Sequence, residues 1–334
     1  MGKGQYTNAE LLARVDGAFK AITVGDLDEG ILTPDKFDQF VRVIQRRTRI
    51  LDEARFIPMD SQQVEIDRVG FVGRVLRAGL ESDKTSHKTL EEGDHVKPEF
   101  WNNKLIAQEL QAITGIKDQA LRRNIERGNF EDTLLDLFGE AAGRDLEEFN
   151  VRADTDVAYG TDAVLSLTDG WAKLAENHIY GQNGDFDPSD SDAYPENMFE
   201  ALLSAIPKKY LQNRSEWRFY VDWDVENAYR NLLRARQTSL GDAATLQHQD
   251  LTYKGIPVRY VPMLERDNAS QGDIAMLQHP DNMVWGLFHE VTIERDRIPK
   301  ERRTDFVLTL EGDAHYEDEN AAVVAHIDKS SPES

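Results

Sequence analysis

The sequence contains no cysteine, which excludes disulfides, thiolate nucleophiles, iron-sulfur clusters and Cys-ligated zinc together. Lysine is scarce as well. The 39 basic residues are 25 Arg and 14 Lys, and they face 61 Asp and Glu, for a formal charge of −22. That balance excludes a nucleic-acid binder that is basic all over. A carboxylate-rich, Lys-poor surface suits high ionic strength, where salt screens self-repulsion, and composition alone reads equally as a halophile signature or as an ordinary acidic protein. Long apolar runs are also missing. No segment approaches the 18 or so residues of a membrane helix, and MGKGQYTNAELLARVDG lacks the apolar stretch of a signal peptide. The Ser or Thr of a myristoylation signal is absent too. Neither secretion nor a membrane partner is expected.

The usual catalytic motifs are missing. There is no G-x-S-x-G, no phosphate-binding G-x-x-x-x-G-K-[ST] and no G-x-G-x-x-G after a strand. The eight histidines include no pair at the i, i+4 spacing of a metal site, and His289-Glu290 continues as Val-Thr-Ile-Glu, so the zinc-protease pattern fails at its second His. An enzyme built from this chain would have to work with carboxylates alone.

A hydrophobic content of 40% over 334 residues is enough for real cores, and the length suggests about two domains. The first 30 residues read as an arm. Thr33-Pro34-Asp35 is a helix start with a capping hydroxyl, Pro at the first position and an acid in the first turn. Phe37, Phe40, Val41, Ile44 and Leu51 then form one stripe of a helix reaching about Arg55.

Val64 to Leu80 is β-branched and aromatic, an extended strand bent at Gly70 and Gly73. A second extended stretch runs from Trp101 to Ile113. Between them lies the polar segment ESDKTSHKTLEEGDHVKPEF, so the two stretches predict a long hairpin with a polar tip. Asp118 to Asn150 carries apolar residues at helical spacing and predicts a strut-like helix. The following mixed region predicts helices over Asp169 to Ile179, Pro195 to Ala205 and Asp224 to Leu233, the last capped by Asp224. It also predicts strands over Trp217 to Val221 and Ile256 to Val261. Late strands are expected over Met283 to Glu294, Asp305 to Glu311 and Ala321 to Ile327, with a charged turn from Asp296 to Arg303.

Two charged clusters are candidate sites. Taking Asp185 as position 1 of a calcium loop puts Asp187 at 3, Ser189 at 5 and Glu196 at 12, although Asp190 occupies the position of the turn glycine. Asp185, Asp187 and Glu196 are therefore the candidate ligands of a structural divalent cation, set against the plainer reading of a solvated acidic loop. No other cofactor is implied. Arg42, Arg46, Arg47 and Arg49, with Arg55, form a basic run that attracts DNA locally or pairs with the chain's own carboxylates.

The order of these elements resembles the Hong Kong 97-type major capsid protein of tailed double-stranded DNA viruses, phage or haloarchaeal. Leu32-Thr33-Pro34-Asp35-Lys36-Phe37 through Ile66-Asp67-Arg68-Val69-Gly70-Phe71 resembles that family's arm and the entry to its E-loop. Gly255-Ile256-Pro257-Val258 resembles a strand near the end of the axial domain. Pro280-Asp281-Asn282-Met283 resembles the stretch where the chain re-enters the peripheral domain.

The resemblance implies an α+β fold with an N-terminal arm and helix (1–60), an E-loop hairpin (61–115) and a peripheral domain with its spine helix (116–157). An axial domain (158–275) and peripheral return strands with a C-terminal tail (276–334) complete it. It implies a major head protein of the virion, assembled in the host cytoplasm by self-assembly of pentamers and hexamers into an icosahedral shell that encloses double-stranded DNA. Portal, scaffold and decoration proteins are the further partners such a shell takes, the scaffold here being separate or absent. No catalytic residues and no enzymatic activity are implied, and no cross-link is expected through Lys84, Lys88 or Lys104. The alternative within the same fold is an encapsulin-like nanocompartment shell, and outside it a carboxylate-based hydrolase.

Overall fold

The computed structural model describes residues 48–71, 75, 76, 78, 98–117, 130–181, 184–190, 193–235, 251–264, 272–288 and 292–327. The first elements in chain order are helix α1 (Ile50–Glu53) and strands β1 (Arg55–Met59), β2 (Gln63–Phe71), β3 (Pro98–Ile106) and β4 (Gln108–Lys117). Helix α2 (Phe130–Arg152), helix α3 (Trp171–Leu174), strand β5 (Asn177–Tyr180), helix α4 (Glu196–Ala205), strand β6 (Arg218–Val221) and helix α5 (Trp223–Ala235) follow. The remaining strands are β7 (Thr252–Tyr253), β8 (Ile256–Tyr260), β9 (Ile274–Gln278), β10 (Met283–Phe288), β11 (Thr292–Ile298), β12 (Arg303–Tyr316) and β13 (Val323–His326).

Two cores organise these elements. In the first, β12 is the axis of a five-stranded sheet. Its residues Arg303 to Thr309 pair with β11, and Gly312 to Tyr316 pair with β10. Along its other side Arg303 to Gly312 pair with β4. β1 adds a parallel edge to β10, and Pro58 is tolerated there because that strand pairs on one side only. β10 reads Met-Val-Trp-Gly-Leu-Phe and is buried on both faces, as a continuous apolar run requires. Helix α2 has 23 residues, roughly 35 Å at 1.5 Å per residue, and its Leu146 and Phe149 share one core with Trp285, Phe306 and Leu308.

The second core lies on one face of a six-stranded sheet in the order β5-β13-β9-β6-β8-β7, whose other face gives Tyr220, Met276 and Val324 to the first core. Helix α4 brings Met198, Phe199 and Leu202 to it, and α5 brings Val225 and Tyr229. Phe199 meets Phe219, Tyr229 and Tyr253 with ring centroids 4.7, 5.4 and 5.2 Å away, so an aromatic cluster holds both helices to the sheet.

Several expectations are corrected by long-range pairing. Of the helix expected from Thr33 to about Arg55, the described part is only Ile50–Glu53: Thr48 and Arg49 are not helical, Arg55 to Met59 are drawn into parallel pairing with β10, and the expected start at Thr33 lies outside the described residues. Gly70 makes no bend but sits in the ladder opposite Glu99, whereas Gly73 lies outside the described residues. The stretch Trp101 to Ile113 is two strands divided at Ala107, one serving β2 and the other β12. The helix expected over Asp169 to Ile179 stops at Leu174, and Asn177 to Tyr180 become a strand beside β13.

Met283 to Glu294 belongs to two strands, β10 and β11, and the charged turn shrinks to residues 299–302 because Asp296 to Ile298 stay in the β11 ladder. β13, expected among the closing strands, joins the six-stranded sheet instead. Helix α5 is capped by Asp222, not Asp224: its Oδ1 accepts from Val225 N at 2.8 Å, satisfying a first-turn donor. The helix from Pro195 and the strands at Trp217 and Ile256 stand within a residue of expectation, and the described part of the strut helix ends two residues late.

Gly170 marks the junction between α2 and α3. A Cβ there would lie 2.8 Å from Asn150 O and 2.9 Å from both Ala153 N and the Val151 carbonyl carbon, all backbone atoms that cannot swing aside. Gly170→Ala is therefore expected to destabilise by about 1–3 kcal/mol, read from the shift in denaturant midpoint.

Candidate functional site

The hairpin β2–β3 stands outside both sheets, and its sequence alternation sets its two faces. Val64, Ile66 and Arg68 on β2 pair with Leu105, Asn103 and Trp101 on β3, and these six face inward. Glu65, Asp67 and Val69, opposite Lys104, Asn102 and Phe100, are exposed. The inward face has its own small core, in which Ile66 and Leu105 pack with Met59 and Val284.

A set of polar contacts then fixes the hairpin root to the end of β12 and the turn after it. Asn103 Nδ2 donates to Tyr316 O at 2.8 Å, Ile106 N to Asp313 Oδ2 at 2.8 Å, and Gln62 Nε2 to Glu311 Oε2 at 3.2 Å. Arg68 forms an ion pair with Asp318 while its guanidinium lies 4.5 Å from the Trp101 ring centroid. Asp318 Oδ2 also accepts from Tyr210 Oη at 2.6 Å, and its own N–H donates to Asn282 Oδ1 at 2.8 Å. Arg68 and Asp318 are 25% and 10% exposed at their side chains, so the pair is only partly screened by water.

Burial pushes the Asp318 carboxyl up, but the Tyr210 hydroxyl and the Arg68 charge outweigh it and hold the carboxyl below its usual range. A group whose folded pKa is depressed contributes stability above its unfolded pKa and loses it as the pH falls through the folded value. Acidification below the ordinary carboxylate range is therefore expected to loosen the root. The check is faster amide hydrogen exchange over residues 63–71 and 98–106.

The outer face behaves differently. Near the root it is polar: Lys104 Nζ is 3.1 Å from Glu65 Oε1, and Asn102 Nδ2 donates to Glu65 and Asp67 at 2.8 Å each. Farther out, Val69 and Phe100 form a directly opposed pair, 58% and 74% exposed. The arm is thus tied down at its base and apolar beyond it.

Two more devices join the units. Arg152, the last residue of α2 and 3% exposed, sends Nε to Met263 O at 2.6 Å, Nη1 to Gly272 O at 3.0 Å and Nη2 to Leu264 O. Glu147, on the same helix, accepts from the N–H groups of Arg49, at 2.7 Å, and Ile50 at the start of α1. Burial raises the pKa of Glu147 despite those donors.

Of the basic run, Arg42, Arg46 and Arg47 lie outside the described residues. Arg49 is exposed, and Arg55 pairs with Glu317 at 2.8 Å, so one of the five serves a structural ion pair. Among the described residues the acids of the loop are engaged separately. Asp185 Oδ2 accepts from Tyr180 N at 2.8 Å, Asp187 Oδ1 accepts from Ser189 N and Oγ at 2.9 and 2.6 Å, and Glu196 opens α4. Among the described residues no group of three or more His, Asp and Glu side chains is arranged to hold a metal ion. The sequence reading missed Arg68, Tyr210 and Asp318 because 250 residues separate the two members of the ion pair. The available signal was an arginine at an inward position of β2.

Comparison with known proteins adds whole-chain likeness. No family model matches the sequence. A Bacillus subtilis (strain 168) protein, described as a prophage capsid protein, YqbE, is 29% identical over 320 residues, covering 94% of this chain and 96% of that one. The satellite phage P4 procapsid structure, which includes the size determination (Sid) protein, superposes with a TM-score of 0.58 at 14% identity, over 96% of this chain and 98% of that chain. The chain has the Hong Kong 97-type capsid fold. A second structure, the capsid of an empty GTA particle, gives 0.56 at 13% identity over 84% of this chain and 90% of that one. Mycobacterium phage Adephagia gives 0.54 at 12% identity, over 85% and 91%. The α+β fold expected from the sequence is thus the fold the chain has.

Proposed function

We propose that this chain is a capsid protein, the major subunit of an icosahedral shell, assembling as pentamers and hexamers around double-stranded DNA and acting by self-association, with no chemical turnover. The observation that carries the reading is the hairpin. A two-stranded ribbon is marginal alone, and this one is fixed at its root yet displays Val69 and Phe100 to solvent, so its outer half gains stability only against a neighbour. In this reading β2 and β3 are the E-loop. The five-stranded sheet with α2 is the peripheral domain, and the six-stranded sheet is the axial domain, with β13 returning to it. Arg42, Arg46, Arg47 and Arg49 are assigned to the DNA-facing side, and portal, scaffold and decoration proteins are the remaining partners.

Electron microscopy of the expressed protein, with and without a scaffold, tests the reading. Closed particles are expected, and a persistent monomer under all conditions would overturn it. Particles from virus-producing cells should contain DNA; enclosed protein would indicate a nanocompartment instead.

The charge of −22 spread over a Lys-poor chain belongs to the same proposal. Screening of carboxylate repulsion between neighbours should make shells sturdier at molar salt than in dilute buffer. Thermal disassembly followed by light scattering measures this, and the opposite order would remove the halophilic assignment.

A further inference from the structure

The five-stranded sheet ends on one side in β4, ten residues long, and among the described residues nothing pairs with its outer edge. Long open edges are normally blunted by charge, and the other long edge strand of this sheet obeys that rule: β11 carries Glu294, Arg295, Asp296 and Arg297 in succession. β4 does not. From Leu110 to Ile116 it has no charged residue, and Ile113 in the middle is 67% exposed. Its only charges stand near the two ends, Glu109 at one and Lys117 at the other, on the same exposed face as Ile113.

That arrangement is self-complementary. We propose that a second copy of this chain completes the sheet by pairing β4 with β4, antiparallel and centred on Ile113, across a two-fold axis between subunits. The proposal rests on the shell reading in taking the occupant to be a second copy, and it adds where two copies meet.

In this register Ile113 faces its own counterpart, and Glu109 faces Lys117 of the other copy at both ends. On the opposite face, Leu110 meets Ile116 and Ala112 meets Thr114. In this chain Leu110 and Ala112 pack on the core to which buried Ile116 belongs, so the two cores become continuous through the junction. The pairing also relieves a local conflict: Glu109 stands directly opposite Glu311 on β12, and a lysine from the second copy would sit beside that pair of like charges. A one-residue slip would remove both ion pairs and place Ile113 against the other face, so the register is specific.

Because the chain has no native thiol, Ile113→Cys introduces a single one. Directly opposed residues of an antiparallel pair have Cα atoms about 4.5–5.5 Å apart, inside the range a disulfide spans. Mild oxidation of assembled Ile113→Cys protein should therefore give a dimer band on a non-reducing gel. Glu109→Cys alone should give none, since its copies would lie about 27 Å apart along the strands. The double variant Glu109→Cys/Lys117→Cys should link again. Ile113→Asp, which opposes two carboxylates, should abolish particles while the circular dichroism of the subunit is unchanged.

Particles by microscopy with no cross-link in the Ile113→Cys variant would overturn the edge pairing and leave the shell reading standing. A cross-link without particles would do the reverse. A thiol shielded from alkylation in the unassembled subunit would assign the edge to the chain's own residues 1–47 and would also overturn the proposal.

Discussion

Arg152→Ala is expected to cost about 4 kcal/mol of stability, the scale on which breaking a buried, fully engaged charge is felt. The guanidinium closes α2 at the helix end where backbone carbonyls favour a cation. It donates to the carbonyls of Met263 and Leu264, just after β8, and of Gly272, just before β9. One side chain thus ties α2 to the ends of two strands of the six-stranded sheet. Alanine leaves at least three buried acceptors unpaired and opens a cavity, and lysine restores little because an ammonium cannot fork toward carbonyls on both sides. Denaturant unfolding should show a lower midpoint for both variants. A midpoint within about 1 kcal/mol of the parent would show that the two units do not depend on this residue.

The second large effect is on assembly. Arg68→Ala removes the ion pair with Asp318 and the stacking on Trp101, leaving a partly buried carboxylate with Tyr210 as its remaining side-chain donor. Local stability of the hairpin should fall by about 2 kcal/mol, a factor of roughly 30 in its opening equilibrium, with little change in global unfolding of the two cores. On the proposed shell reading, in which the arm reaches a neighbour at a fixed angle, particle yield should drop sharply. Arg68→Lys, which keeps the charge but gives up the planar stack, should fall between. Unchanged hydrogen exchange over residues 63–71 in Arg68→Ala would remove the root from the account of the arm.

Much of this molecule was legible in the sequence wherever local pattern and tertiary demand agree. Pro195 and the apolar spacing after it mark α4, and the all-apolar run at Met283 marks a strand buried on both faces. The failures share a cause. Asn177 to Tyr180 continue a helical pattern but are taken by Val323 to His326, and Arg55 to Met59 continue a helix but are taken by β10. Local periodicity carries no record of a partner more than a hundred residues away, and strand preference depends on that partner. Val69 was placed on a strand but Phe100 in the polar tip, so neither their exposed pairing nor the root beneath it, with Asp313, Tyr316 and Asp318, was legible. Such sites are assembled by topology. The order of short motifs nevertheless identified the fold correctly, because that order reflects the topology.

The parallel register of β5 with β13 bears on the timing of synthesis. Asn177 pairs with Val323, an offset of 323 − 177 = 146 residues, and β13 lies between β5 and β9. At about 5–20 residues per second, a ribosome needs roughly 7–30 s to travel from one strand to the other. Throughout that interval the six-stranded sheet lacks an interior strand. On the proposed shell reading, half-made chains on a polysome would be kept from polymerising on the messenger, because each would become competent to join a shell only once β13 is seated.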